Sequence, residues 1–215
     1  MPTTEVLVAF TAAAFIMNIS PGPSNLYVMA RAIAQGLKGG VVAALGLAVG
    51  SMVHVVATVL GLSAVFHHSP ALDTAIKLAG AAYLMYLGLR YWKLAESKQE
   101  VSITATTQKP LLSVFRESIF VEVTNPKTAL FFLAFLPQFV VPESGSVSQQ
   151  LLILGSIVTI SALPCDLFVA VSSSKVARWL IKNTRAQKIQ ERISGSILFG
   201  LGAYIAVSES RSWSK

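Results

Sequence analysis

Two polar segments that contain proline interrupt long apolar stretches of the chain. They read Ser20-Pro21-Gly22-Pro23-Ser24-Asn25 and Asn125-Pro126-Lys127. Proline stops or kinks a helix because it lacks an N–H and clashes with the preceding turn. Ser20 and Asn125 are predicted to cap a new helix, and Pro21 and Pro126 suit its first helical position. Each restarted helix would present free N–H groups and a positive dipole end, which attract anions.

Ionisable side chains accompany the second interruption. Lys127 lies just past it, Glu122 lies five residues earlier, and Asp166 lies in a later apolar stretch. Charged groups within a membrane are costly and commonly functional. Either acid could bind a substrate ammonium, take up a coupling proton, or neutralise Lys127 in a static ion pair. Glu122 could instead lie at the cytoplasmic interface, which leaves its role open.

Together these residues predict a binding site for an anionic group such as an amino-acid carboxylate. The candidate substrate-binding residues are Ser20, Pro21, Gly22, Pro23, Asn25, Asn125, Pro126, Lys127, Glu122 and Asp166. The alternative is that both interruptions are structural kinks that aid packing.

Catalytic and metal chemistry are not indicated by the residue pattern. No nucleophile–base pair stands out, so the chain is predicted not to be an enzyme. His54, His67 and His68 lack the convergent spacing of metal ligands, so neither a metal nor a cofactor is predicted. His54 is expected instead to form a hydrogen bond between helices.

Composition places these segments in a membrane protein. Apolar residues make up 53% of the chain and charged residues only 13%, whereas soluble domains carry about a quarter charged residues. The excess apolar surface must therefore face lipid. The net charge of +7 does not indicate nucleic-acid binding, because the basic residues lie in the gaps between apolar stretches. The single cysteine, Cys165, excludes a dithiol carrier.

Six apolar stretches approach or exceed the roughly 20 residues that a membrane span needs. They are Val6–Ala30, Val41–Phe66, Leu72–Trp92, Ile119–Val141, Leu151–Val171 and Ile193–Val207. The two interruptions fall in the first and the fourth stretch. The sixth is short, and its glycines suit close packing against another helix.

The basic residues predict the orientation of these spans. Thirteen of the 17 Lys and Arg residues fall in or beside the first, third and fifth connections, and two fall in the C-terminal tail. The positive-inside rule places those three connections in the cytoplasm and both termini in the periplasm.

The two halves of the chain resemble each other weakly. A shift of 105 residues superposes Ser20-Pro21 on Asn125-Pro126 and the second apolar stretch on the fifth. Three spans in each half then give an inverted repeat, the plan of many secondary transporters. We predict one all-α membrane domain over residues 1–215, with repeat 1 at about 1–93, a cytoplasmic linker at about 94–110 and repeat 2 at about 111–215. The alternative is two unrelated broken helices.

The same segments resemble a known family. Ser20–Asn25 and Asn125–Phe132 (NPKTALFF) look like the two signatures of the LysE/RhtB amino-acid exporters, and GAAYLMYLGLR (Gly80–Arg90) and FLPQF (Phe135–Phe139) fit as well. The resemblance covers nearly the whole chain and is nearer to the threonine, homoserine and homoserine-lactone branch than to the lysine branch. Many members carry a neutral residue where Glu122 stands, which leaves the charge of the substrate open.

The resemblance implies efflux of an amino acid or a derivative across the bacterial inner membrane, driven by the proton motive force. Proton antiport with alternating access is the expected mechanism. The expected partners are a small amino acid, protons and the lipid bilayer, without nucleic acid; homo-oligomerisation is left open. The alternatives are an exporter of metal ions or other small solutes, and an integral membrane protein without transport activity.

Overall fold

A computed structural model describes residues 2–19, 22–68, 70–96, 107–172 and 183–212, and all the regular secondary structure in this part of the chain is helical. Its α-helices are α1 (Thr4–Ile19), α2 (Pro23–His68), α3 (Pro70–Glu96), α4 (Leu111–Val123), α5 (Pro126–Leu130), α6 (Val147–Ser172) and α7 (Thr184–Ser212). After α5 the chain continues through a π-helical turn, Phe131–Phe135, and two 3-10 turns, Leu136–Phe139 and Pro142–Ser144. The predicted all-α class is confirmed.

A break at Gly36 divides α2 into two arms, which we call the first arm (residues 23–35) and the second arm (residues 37–68). Gly36 has φ 69° and ψ −167°, a left-handed conformation that residues with a Cβ rarely adopt. The predicted first span therefore corresponds to α1 followed by the first arm. The second arm corresponds to the predicted second span.

Several described helices have the character of membrane spans. The segment Pro23–Leu62, which contains the break at Gly36, and the helix Val147–Ser172 are long and apolar enough to cross a membrane. Leu111–Val123 with Pro126–Phe139 forms a third candidate, bent by 43° at the break. Large apolar side chains on these helices are exposed, including Leu60 and Phe120. Lipid solvates such a surface whereas water does not, which agrees with a polytopic membrane protein.

Helix packing joins the two halves of the chain. α1 packs on α6, α4 packs on α2, α2 also packs on α6, and α3 packs on α7. A shift of 105 residues exchanges α1 with α4, and the second arm of α2 with α6. The first two pairs are therefore equivalent under the shift, as an inverted repeat requires. We propose that the two halves form such a repeat.

Glycine allows α2 to approach α4 closely. A Cβ on Gly50 would lie 2.6 Å from the Glu122 Cβ and 2.8 Å from the Ile119 carbonyl oxygen. Only a hydrogen atom fits there, and small residues at such positions let membrane helices pack backbone to backbone. This contact places Glu122 on α4 directly beside Gly50 on α2.

The glycines of the sixth stretch pack α7 against α3, in line with the sequence prediction. A Cβ on Gly195 would lie 2.7 Å from the Gly88 carbonyl oxygen, and one on Gly202 would lie 2.6 Å from that of Ala81. Gly200 differs, because a Cβ there would meet nothing within 4 Å. Two of the three predicted packing glycines therefore serve the interface.

Candidate functional site

The second interruption has the predicted cap geometry. Asn125 adopts an extended conformation between α4 and α5, and its Oδ1 accepts a hydrogen bond from the Lys127 backbone N–H at 3.0 Å. Pro126 occupies the start of α5. Asn125 thus satisfies one N–H that the start of a helix leaves free. The cap-then-proline prediction is confirmed at this position.

At the first interruption the helix begins later than predicted. α2 starts at Pro23, and Gly22 is not helical. The prediction that Pro21 takes the first helical position, with Ser20 as its cap, is therefore wrong. The reason is steric, because a residue that precedes proline is disfavoured in the α region, which keeps Gly22 out of the helix. Ser20 and Pro21 themselves lie outside the described residues.

The two interruptions meet in the fold. A Cβ on Gly22 would lie 3.2 Å from Lys127 Cδ and 3.5 Å from Lys127 Nζ. Ser24 Oγ donates a hydrogen bond to Glu122 Oε2. Asn125 Nδ2 donates to Ser24 Oγ at 2.7 Å and, weakly, to Glu122 Oε2 at 3.5 Å. We call these five residues (Gly22, Ser24, Glu122, Asn125 and Lys127) the polar centre.

Glu122 is held inside the protein by its neighbours. It is only 7% exposed, so its side chain is surrounded by protein. Electrostatic interactions connect Lys127 with both Glu122 and Asp166. Burying an ionised group is costly unless donors or opposite charges compensate it. Ser24, Asn125 and Lys127 supply that compensation.

His54 on α2 donates a hydrogen bond to the backbone carbonyl oxygen of Glu122. In an uninterrupted helix the Glu122 carbonyl would accept from the N–H of residue 126, but Pro126 has none. The Asn125 N–H donates to the Glu122 carbonyl oxygen instead, at 3.0 Å, and His54 adds a second bond to the same oxygen. His54 Nε2 on α2 donates to this oxygen at 3.0 Å, and the His54 ring stacks on Phe132 with centroids 5.7 Å apart. The prediction that His54 forms a hydrogen bond between helices is confirmed.

Asp166 brings a second acid towards the polar centre from α6. Its side chain is 8% exposed, and it interacts electrostatically with Lys127 and Glu122. Within the described residues, it forms no hydrogen bond to another side chain or backbone group. A carboxylate in this position retains acceptor capacity for a ligand.

Asn25 turns away from the polar centre and towards the end of α1. Its Nδ2 donates to the Asn18 carbonyl oxygen at 3.3 Å, one of the carbonyls that a helix end leaves free. Asn18 Nδ2 in turn donates to the Val158 carbonyl oxygen at 3.2 Å and to Ser161 Oγ at 3.0 Å. This chain of bonds ties α1, the first arm and α6 together, so Asn25 braces the first interruption.

Sequence reasoning did not include Ser24, Asn18 or Ser161 among the candidate residues. Ser24 stands in the first interrupted segment, and its place in the first turn of the new helix could have indicated it. Asn18 and Ser161 are polar side chains inside apolar stretches, which is itself a signal of function or of helix pairing.

The match to known proteins covers nearly all of these elements. Residues 15–209 match the sequence profile of the LysE type translocator family. The chain belongs to that family. LysE type translocators are transporters, so this chain is a membrane transport protein and not an enzyme.

Individual relatives of this LysE type translocator align over almost their full length. It is 34% identical to the uncharacterized membrane protein YrhP of Bacillus subtilis, over 94% of this chain and 99% of the relative. It is 31% identical to the homoserine/homoserine lactone efflux protein of Salmonella typhimurium, over 95% and 97%. The leucine efflux protein of Enterobacter sp. is 27% identical, over 92% and 93%. No solved structure matches the chain.

Proposed function

We propose that this translocator exports a neutral amino acid, of the homoserine or leucine type, across the bacterial inner membrane in exchange for protons. The observation that carries the proposal is the meeting of two helix interruptions at Lys127, Ser24 and Asn125. Relatives named for efflux of homoserine and of leucine support the substrate class. Homoserine lactone, which one of those names also contains, has no free carboxylate and therefore serves as a test of the site.

The polar centre offers the groups that a carboxylate requires. Lys127 provides a positive charge, and Ser24 Oγ and Asn125 Nδ2 provide neutral donors. Glu122 Oε2 accepts from both donors, so these donors suit a carboxylate. A substrate carboxylate would compete with Glu122 for them and bind beside Lys127. Charge-assisted hydrogen bonds of this kind are stronger than neutral ones.

Asp166 is the acid best placed to couple transport to protons. A substrate ammonium and a proton would compete for its carboxylate, and such competition gives exchange rather than co-transport. On the acidic periplasmic side the proton would displace the ammonium, and on the cytoplasmic side the ammonium would displace the proton. Glu122 is less suited to this task, because Ser24 and Asn125 already occupy its oxygen.

Orientation follows from the charge distribution. With the first, third and fifth connections in the cytoplasm and both termini in the periplasm, the first arm of α2 ends at the cytoplasmic side. A reporter fused to the C-terminus that is active only in the periplasm tests this topology. Activity of a cytoplasmic reporter at the same position would contradict it.

The substrate class is tested with purified protein in proteoliposomes that are loaded with labelled amino acids. Counterflow is compared for homoserine, threonine, leucine and lysine, and for homoserine lactone, which has no free carboxylate. We expect homoserine to compete for the site at least tenfold better than its lactone, because only homoserine can bind Lys127 through a carboxylate. Equal competition would contradict the carboxylate site, and flux of metal ions without amino-acid flux would contradict the substrate class.

A further inference from the structure

The first arm of α2 lies between two joints. It begins after the non-helical Gly22 and ends before Gly36, whose φ is 69°. A Cβ on Gly36 would meet nothing within 4 Å, so neighbouring atoms do not obstruct this joint. A rigid helix between two such joints can swing when only a few backbone dihedral angles change.

The cytoplasmic end of the arm is clamped to the end of the linker. Gln35 Nε2 donates to the Lys109 carbonyl oxygen at 2.7 Å, and the Lys109 N–H donates to Gln35 Oε1 at 3.2 Å. One amide side chain therefore satisfies both backbone groups of Lys109. Arg31 Nη1 adds a longer bond to the Thr107 carbonyl oxygen at 3.4 Å. The described end of the predicted linker is thus part of the packed structure.

A second set of bonds joins the arm to α4. Tyr27 OH donates to Glu117 Oε2 at 3.1 Å, and Lys109 Nζ donates to Glu117 Oε1 at 2.7 Å. The Lys109 and Glu117 side chains are 39% and 38% exposed, and ion pairs this accessible to water are weak. We call Gln35, Tyr27, Lys109 and Glu117 the latch. Its bonds can break and re-form within a transport cycle.

Beneath the latch lies a cluster of buried apolar residues, which we call the seal: Val28, Ala43, Ala44, Leu47, Val114 and Ala170. They come from both arms of α2, from α4 and from α6. Three of the six are alanines, and the close approach continues at Gly40, where a Cβ would lie 2.8 Å from the Cβ atoms of both Ala32 and Ala170. Helices that meet through small side chains can separate more easily than helices whose large side chains interdigitate.

We propose that the first arm is the cytoplasmic gate of the translocator, closed here by the seal and held by the latch. The inference rests on the proposed export function and orientation. The same arm carries Ser24, which is bonded to Glu122 in the polar centre. A substrate that displaces Glu122 would release the inner end of the arm, and a break in the latch would release its outer end. Access from the cytoplasm to the polar centre then opens between the arm, α4 and α6.

The first test measures access to the seal without any transport assay. Val28 is 0% exposed, and Val28→Cys is made on a Cys165→Ser background, which removes the only native cysteine. A membrane-impermeant maleimide is added to everted vesicles, which expose the cytoplasmic face. Adding Gln35→Ala should raise the labelling rate about tenfold, because two hydrogen bonds that hold the closed state are lost.

A matched control and a second position make this result decisive. Gln149 is exposed near the other end of α6, so Gln149→Ala should leave the labelling rate unchanged. Ala44→Cys, in the same seal, repeats the measurement if Val28→Cys does not insert. Equal labelling with and without Gln35→Ala at both positions would overturn the gate.

The second test locks the gate. Ala32 on the first arm and Ala170 on α6 both lie 2.8 Å from the same Cβ position on Gly40, so their Cβ atoms are no further apart than twice that distance. Ala32→Cys/Ala170→Cys, joined by a short thiol cross-linker on the Cys165→Ser background, should lose at least 90% of its flux and regain it when the link is reduced. Each single-cysteine variant, treated identically, should keep its flux. Undiminished flux in fully cross-linked protein would contradict the proposal.

The two tests separate the gate from the substrate assignment. The labelling experiment needs no substrate, so a positive labelling result with no amino-acid flux would leave the gate standing and defeat the proposed function. If the protein transports amino acids but Gln35→Ala does not change the labelling rate, the gate proposal is wrong and the proposed function is unaffected.

Discussion

Lys127 is the basic side chain at the point where the two helix interruptions meet. It lies against Gly22 and interacts with Glu122 and Asp166. Because a substrate carboxylate needs this charge, Lys127→Ala should lower amino-acid flux about 100-fold in proteoliposomes, the effect of losing a hydrogen bond between charged groups. Lys38 is exposed, and Lys38→Ala serves as the control with expected full activity. Wild-type flux in inserted Lys127→Ala protein would exclude this role.

Gly22 tests the same contact from the opposite side. A methyl group there would lie 3.2 Å from Lys127 Cδ, so Gly22→Ala should displace the Lys127 side chain by a few tenths of an ångström. We expect the KM for the substrate to rise roughly three- to tenfold, because small displacements weaken charged hydrogen bonds. Gly61→Ala, on α2 at a position where a Cβ would meet nothing within 4 Å, should leave the KM unchanged. An equal KM in both variants would mean that Gly22 does not position Lys127.

The sequence predicted which residue types matter more accurately than how each side chain points. The capping role of Asn125 and the burial of charged groups follow from local chemistry, and the structure bears both out. The direction of Asn25, towards α1, depends on packing between distant segments and could not be predicted. The start of α2 at Pro23 was predictable in principle, since the residue before a proline avoids the α region.

At the scale of helices, the approach of α2 to α4 depends on Gly50. Its missing Cβ leaves room for the Glu122 Cβ and the Ile119 carbonyl oxygen. Gly50→Ala should push the helices apart and cost about 1–3 kcal/mol, as overpacking of a core does. In detergent the midpoint of thermal unfolding should fall by several degrees relative to Gly61→Ala. An unchanged midpoint would show that the helices separate without strain.

The interruptions and the connection between the first two spans were predictable, but the exact residue at which that connection bends was not. Proline is disfavoured inside a helix, and the polar residues beside Pro23 and Pro126 mark both interruptions in the sequence, whereas α6 contains Pro164 in its interior. Gly36 lies in the predicted first connection, between the stretches that end at Ala30 and begin at Val41, and only the backbone conformation identifies it as the residue at which the first arm ends. The distinction matters because the gate proposal depends on that joint.

At the scale of the whole molecule, the equivalence of helix pairs under the 105-residue shift places Gly22 and Lys127 at corresponding positions that touch each other. Residues related by a two-fold axis can touch only close to that axis, so the polar centre would lie between the two repeats. Composition and basic residues predicted a membrane protein and its orientation. The packing of the first half of the chain against the second could not be predicted, because it depends on contacts between residues that are distant in the sequence.

Proton coupling through Asp166 is the central claim, and one measurement tests it directly. Proteoliposomes that contain wild-type protein or Asp166→Asn are loaded with labelled homoserine, and efflux is recorded with and without an imposed pH gradient. We predict that the gradient accelerates wild-type efflux at least fivefold, whereas Asp166→Asn exchanges homoserine without any response to the gradient. Equal acceleration in both proteins, or none in the wild type while exchange proceeds, would contradict proton antiport at this residue.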